Sequence, residues 1–314
     1  MTTTRPLFFS EHLPATVLLV EVGPRDGLQN ESGVISTETK IWLINALSRT
    51  GVGRIEATSF VSPRAVPQLA DADAVMSGIT RLPTVEYAAL IPNERGLERA
   101  AAAGIDIVNI VVVATETFNR RNVNMSVAES MGAAASIAKQ AEAMGIRVSA
   151  VVAASFYCPF EGPVSPEQVV RLASGLADMG IAEVTLADTI GAAGPAAVAD
   201  LVTVIREQLP SLSLGLHLHD TRGQALPNAL AGVLAGVTRL EASVGGLGGC
   251  PFAPRATGNA CSEDLVFMLE SIGIRTGVNL ESLLDASRLA QSAVDHRLPS
   301  RLLEAGLPGY SSNV

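Results

Sequence analysis

Apolar runs of strand length recur along the chain at 17–22, 54–59, 85–90, 107–113, 148–154, 183–187, 214–218 and 240–244. Between them lie Ala- and Leu-rich stretches whose apolar positions repeat at helical spacing, at 36–48, 95–103, 127–144, 166–179, 195–208 and 226–235. Gly104, Gly145, Gly180 and Gly236 close several of these stretches just before the next run, where a left-handed C-cap needs a residue without Cβ. Eight alternations of strand and helix, with no Gly-rich nucleotide loop after the first strand, fit a TIM (β/α)8 barrel better than an open doubly wound sheet. The chain continues past the eighth strand through helical patterns at 263–272 and 280–293, too little for a second domain. The expectation is a single catalytic domain over 1–314: a barrel over about 17–245, then a mobile Gly loop and C-terminal helices that cap it.

Composition sharpens this picture. Hydrophobic residues make up 48% of 314, but only 1 Trp, 3 Tyr and 8 Phe are aromatic, so the core is aliphatic, as buried parallel strands require. A net charge of −9 repels polyanions and argues against nucleic-acid binding. Mean hydropathy is +0.33, yet no uninterrupted apolar stretch approaches the roughly 18 residues that span a bilayer, so no membrane role is expected. Three cysteines without a readable secretory leader predict free thiols and a cytoplasmic protein.

In a TIM barrel the reacting groups sit where the strands end. The first strand runs into Glu21-Val22-Gly23-Pro24-Arg25-Asp26-Gly27, the second into Glu56-Ala57-Thr58-Ser59, the sixth into Asp188-Thr189 and the seventh into His217-Leu218-His219-Asp220. His217 and His219 are two apart on a strand and share a face, so with Asp26 they offer a two-His, one-carboxylate set for a divalent cation. An H-x-H on a strand is equally often a hydrogen-bonded core pair. Arg25 beside Asp26 is either a surface ion pair or a guanidinium aimed at an oxyanion. Glu56 and Asp188 are either partners of Arg25 or groups that steady the metal's ligands. Gly245-Gly246-Leu247-Gly248-Gly249-Cys250-Pro251 reads as a lid carrying a thiol, or as tight turns with a small apolar residue. Cys158 and Cys261 read as structural.

The runs 20–31 (VEVGPRDGLQNE), 55–63 (IEATSFVSP), 217–221 (HLHDT), 246–251 (GLGGCP) and 257–259 (TGN) closely resemble 3-hydroxy-3-methylglutaryl-CoA lyases, in the right order over about 17–306. The resemblance implies a metal-dependent TIM barrel that cleaves a CoA thioester, 3-hydroxy-3-methylglutaryl-CoA, to acetyl-CoA and acetoacetate. It implies Mg²⁺ or Mn²⁺ held by Asp26, His217, His219 and Asn259, with Arg25 as catalytic arginine, Cys250 as loop cysteine, and Glu56, Asp188 and His217 as further catalytic groups. It also implies a homodimer. Arg222, Arg255 and Thr115 depart from the family pattern and point at the acyl pocket rather than at the chemistry. Related alternatives are a lyase for another 3-hydroxyacyl-CoA, a condensing enzyme or pyruvate-type aldolase of the same superfamily, and a non-catalytic scaffold.

Overall fold

The computed structural model describes residues 13–64, 66–249 and 258–309. Eight parallel strands close a barrel: Leu18–Glu21, Arg54–Ser59, Glu86–Leu90, Ile107–Val113, Arg147–Ala153, Glu183–Asp188, Ser213–Leu218 and Arg239–Ala242. Each pairs with the next in sequence, and the first closes the ring against the eighth with Leu18 opposite Arg239 and Glu21 opposite Ala242. The strands are buried on both faces because helices cover the outside and side chains fill the inside, which is why their sequences read as continuous apolar runs.

The helices between the strands follow the expected order: α1 (Thr37–Ser48), α2 (Ala72–Gly78), α3 (Glu94–Ala102), α4 (Glu116–Val123), α5 (Val127–Met144), α6 (Pro166–Asp178), α7 (Pro195–Gln208) and α8 (Ala225–Leu234). Their starts are written in the sequence. Ser126 caps α5, its hydroxyl accepting from the Glu129 amide while the Glu129 side chain accepts from the Ser126 amide, and Ser165 caps α6. Gly104, Gly145, Gly180 and Gly236 all have positive φ after the helices they close.

Helices α9 (Ser262–Ser271), α10 (Leu280–Ala293) and α11 (Arg301–Ala305) follow the barrel and join its main core through Leu265 and Leu269 of α9, Leu283 of α10, Leu298 before α11 and Leu303 within it. The eighth strand is shorter than its apolar run suggests. It ends at Ala242, and 244–246 turn tightly instead. No helix among the described residues is long and apolar enough to cross a membrane.

Candidate active site and metal centre

The first strand ends in a wide turn, Gly23–Gly27, in which the amides of Arg25, Asp26 and Gly27 all donate to the Val22 carbonyl. The turn is buried throughout, so Arg25 and Asp26 are not a surface pair: they are 7% and 9% exposed. The Arg25 guanidinium is fixed on two sides. Nη1 donates to Asp26 Oδ1 at 2.6 Å, and Nε donates to Glu56 Oε2 at 2.5 Å from the second strand. Asn109, on the fourth strand, donates to the other Glu56 oxygen at 2.7 Å.

The seventh strand brings His217 and His219 to the same mouth, their Nε2 atoms 3.2 Å apart. His217 Nε2 lies 3.9 Å from Asp26 Oδ2. The segment after the Gly loop lays Asn259 beside them: the Ala260 amide donates to the Leu218 carbonyl, and Asn259 bridges to His219. Asn259 Nδ2 then donates to Asp26 Oδ2 at 2.9 Å and to the Leu247 carbonyl at 3.0 Å.

The electrostatics suit a cation. Burial alone would raise Asp26, but the Arg25 guanidinium and the two imidazoles hold its pKa at about 2. His219 is pushed down to about 4 by burial and by its neighbour His217, so it is neutral near pH 7 with a lone pair to offer. Burial would also lower His217, but the hydrogen bond to Glu241 and the charge of Asp26 outweigh it and its pKa is raised.

One donor atom each from Asp26, His217 and His219 lies within 4.8 Å of the others. Asn259 Oδ1 is buried and has no hydrogen-bond partner, an expensive state for a carbonyl oxygen unless something binds it. Two neutral-capable nitrogens, a carboxylate oxygen and an unspent amide oxygen therefore form a donor set suited to a divalent metal.

Asp188 is brought near this group but is spent differently. Its two oxygens accept from the amides of Ala192 and Ala193, at 2.9 Å each, so it shapes the loop after the sixth strand rather than pairing with Arg25. Arg222 donates through Nη1 to the Ile190 and Gly191 carbonyls of the same loop. Cys158 is buried and accepts from the Thr115 hydroxyl, and Cys261 is buried at the start of α9.

The first part of the Gly loop is not a free lid. Gly245 and Gly246 are buried with positive φ, and a Cβ on Gly246 would come within 2.5 Å of Cys261 Sγ. These glycines permit close packing and a left-handed turn, so mobility is not what they supply there. Cys250 and Arg255 lie outside the described residues.

Sequence reasoning missed Glu241 and Asn109. Glu241 sits on the eighth strand with Oε2 at 3.0 Å from His217 Nδ1 and Oε1 accepting from Thr185 Oγ1 at 2.9 Å. The available signal was a single polar residue inside a buried apolar run, as in Leu240-Glu241-Ala242 and Val108-Asn109-Ile110.

Comparison with known proteins agrees with this geometry. The HMGL-like family model matches residues 16–290. The human mitochondrial hydroxymethylglutaryl-CoA lyase is 44% identical over 293 residues, covering 93% of this chain and 90% of that protein. The crystal structure of the Bacillus subtilis HMG-CoA lyase superposes with a TM-score of 0.91 at 46% identity, over 93% of this chain and 98% of the other. That of an HMG-CoA lyase from Acinetobacter baumannii, in complex with coenzyme A and 3-methylmalate, gives 0.90 at 41% identity over 99% of both chains. The buried Asp, two His and Asn at the barrel mouth, the arginine beside them and these matches lead to one assignment: the chain belongs to the HMGL-like family, among the hydroxymethylglutaryl-CoA lyases.

Proposed function

We propose that this chain is a divalent-metal-dependent carbon–carbon lyase that cleaves 3-hydroxy-3-methylglutaryl-CoA to acetyl-CoA and acetoacetate, with Mg²⁺ or Mn²⁺ as the metal. The observation that carries the reading is the convergence of Arg25, Asp26, His217, His219 and Asn259 in one buried mouth, with the Asn259 Oδ1 atom unspent. Asp26, His217, His219 and Asn259 would hold the metal. When bound, it supplies a Lewis acid that lowers the pKa of the substrate hydroxyl and fixes its orientation.

Cleavage breaks the bond between C2 and C3. The hydroxyl loses its proton, its electrons form the ketone of acetoacetate, the C2–C3 pair leaves as the enolate of acetyl-CoA, and C2 takes up a proton. Arg25 stays cationic because Glu56 and Asp26 raise its pKa against the cost of burial, and its charge stabilises the enolate oxygen. The relay for the hydroxyl proton is assigned to His217. An imidazole held by a metal is a poor base, so a nearby acid or a water shares the transfer. Cys250 follows Gly249 directly in sequence and is assigned the protonation of C2. Glu56 holds Arg25 in place, and Asp188 holds the loop at the sixth strand's end. A homodimer is part of this proposal and is read by sedimentation.

The test is release of acetyl-CoA and acetoacetate with Mg²⁺ or Mn²⁺, with and without EDTA, beside Cys250→Ala and His217→Ala. Turnover lost with EDTA and in both variants supports the assignment. A folded, metal-loaded protein that turns over another 3-hydroxyacyl-CoA but not this one overturns the substrate while leaving the metal chemistry.

A further inference from the structure

We propose that Glu241 is the positioning residue of the metal centre: it fixes the tautomer and ring angle of His217, so that Nε2 rather than Nδ1 presents its lone pair at the mouth. This rests on the reading that Asp26, His217, His219 and Asn259 hold the metal. Glu241 lies directly across the strand pair from His217 and is 8% exposed. Both oxygens are committed, Oε1 to the Thr185 hydroxyl at 2.9 Å and Oε2 to His217 Nδ1 at 3.0 Å, so Glu241 supports the site without being one of its donors. An ionised carboxylate only accepts hydrogen bonds, so the contact requires a proton on His217 Nδ1, and in the neutral ring that leaves Nε2 bare.

That bare nitrogen faces His219 Nε2 at 3.2 Å and Asp26 Oδ2 at 3.9 Å. The two histidines are thereby unequal. His219 Nδ1 is buried with no hydrogen-bond partner, so packing alone sets its ring, whereas His217 is steered by a hydrogen-bonded chain from Thr185 through Glu241.

The experiment measures Mn²⁺ binding to the purified full chain by electron paramagnetic resonance, with ¹⁵N resonances of the His217 ring in the metal-free protein as a second readout. Glu241→Ala is expected to weaken Mn²⁺ binding by about 10- to 100-fold, the usual effect of removing a carboxylate behind a ligating histidine, and to move the ring proton to Nε2. Glu241→Gln, which keeps an acceptor oxygen, is expected to recover part of the loss, and Thr185→Val to show a smaller one. A parent-like Mn²⁺ affinity in folded Glu241→Ala, or an unchanged ring tautomer, overturns the inference. Should that variant fail to fold, parent-like affinity in both Glu241→Gln and Thr185→Val overturns it instead. His219→Ala is the control for the underlying reading: if it binds Mn²⁺ as the parent does, the metal assignment fails, and if it alone loses Mn²⁺, only the role of Glu241 fails.

Discussion

The two ends of the barrel both bury clusters of charge, and they spend them in opposite ways. At the floor, where the strands begin, Arg54 donates to Glu183 through Nη1 at 2.6 Å and Nη2 at 3.1 Å, and to Glu86 through Nε at 2.9 Å. Arg239 reaches Glu183 at 3.3 Å and donates to the Ser213 hydroxyl at 2.9 Å, and Arg147 closes on Glu86 from outside. None of these side chains has a buried polar atom left without a partner. At the mouth, Asn259 Oδ1 and His219 Nδ1 are left bare, and two imidazole nitrogens stand 3.2 Å apart. A closed network holds strands together. An open one leaves atoms available to a ligand, and the cost of leaving them unsatisfied is borne by the rest of the fold.

Substitutions should separate the two ends. The largest effect is expected from Arg54→Met at the floor: it removes the buried guanidinium that Glu183 and Glu86 share and leaves them only Arg239 and Arg147, a loss of up to about 3 kcal/mol of stability. Denaturant unfolding reads it, and kcat per folded molecule stays at the parent value; a fall in kcat without loss of stability would show that the floor is not merely structural. At the mouth the pattern inverts. Arg25→Lys cannot hold Glu56 and Asp26 together while facing an oxyanion, and kcat should drop by about 10²–10³-fold with little change in melting temperature.

A pH series on the metal-free protein comes next. The folded chain holds His219 near 4 against an ordinary value of 6.5, so between these pH values the unfolded chain binds a proton that the folded one refuses. The His219 contribution to stability therefore falls as pH drops from about 6.5 to about 4, by at most about 3 kcal/mol. His217 works with the opposite sign: its raised pKa contributes below 6.5 and is lost as pH climbs through the folded value. Buried Glu21, raised to about 7, contributes with the opposite sign over the same range, so the ring itself is the readout: an NMR titration in which His219 of the folded, metal-free chain takes up its proton near 6.5 would contradict its assignment as buried and neutral. The smallest effect belongs to the rim of the floor. Glu86 is 35% exposed on its side chain, so Glu86→Gln should cost under about 1 kcal/mol and leave kcat untouched.

The architecture was legible because parallel strands buried on both faces are written as unbroken apolar runs. Helices that the pattern missed have physical reasons. α2 is only 7 residues long, and α4 (ETFNRRNV) buries just Phe118 and Asn119, so neither writes an apolar stripe. At the site, Asp26, His217 and His219 were legible from strand-end position and two-residue spacing, and Asn259 only through the family resemblance. Glu241 was not legible, because one carboxylate inside Leu240-Glu241-Ala242 looks the same whether it backs a histidine or pairs with a floor arginine; only the register opposite His217 decides. At Gly245 and Gly246 lid and tight turn could not be separated, because a glycine needed for a left-handed, crowded turn is spelled the same as one needed for motion.

The donor set also imposes an order on biosynthesis. Asp26 and Asn259 touch across 233 positions of chain, and the first strand has no barrel neighbour on one side until the eighth emerges. A nascent chain halted between His219 and Asn259 carries an aspartate and two histidines without their fourth companion, and one halted before Arg239 carries an open sheet edge. The four side chains therefore meet only after most of the chain has been made, and the same late stretch of sequence that completes them also closes the barrel.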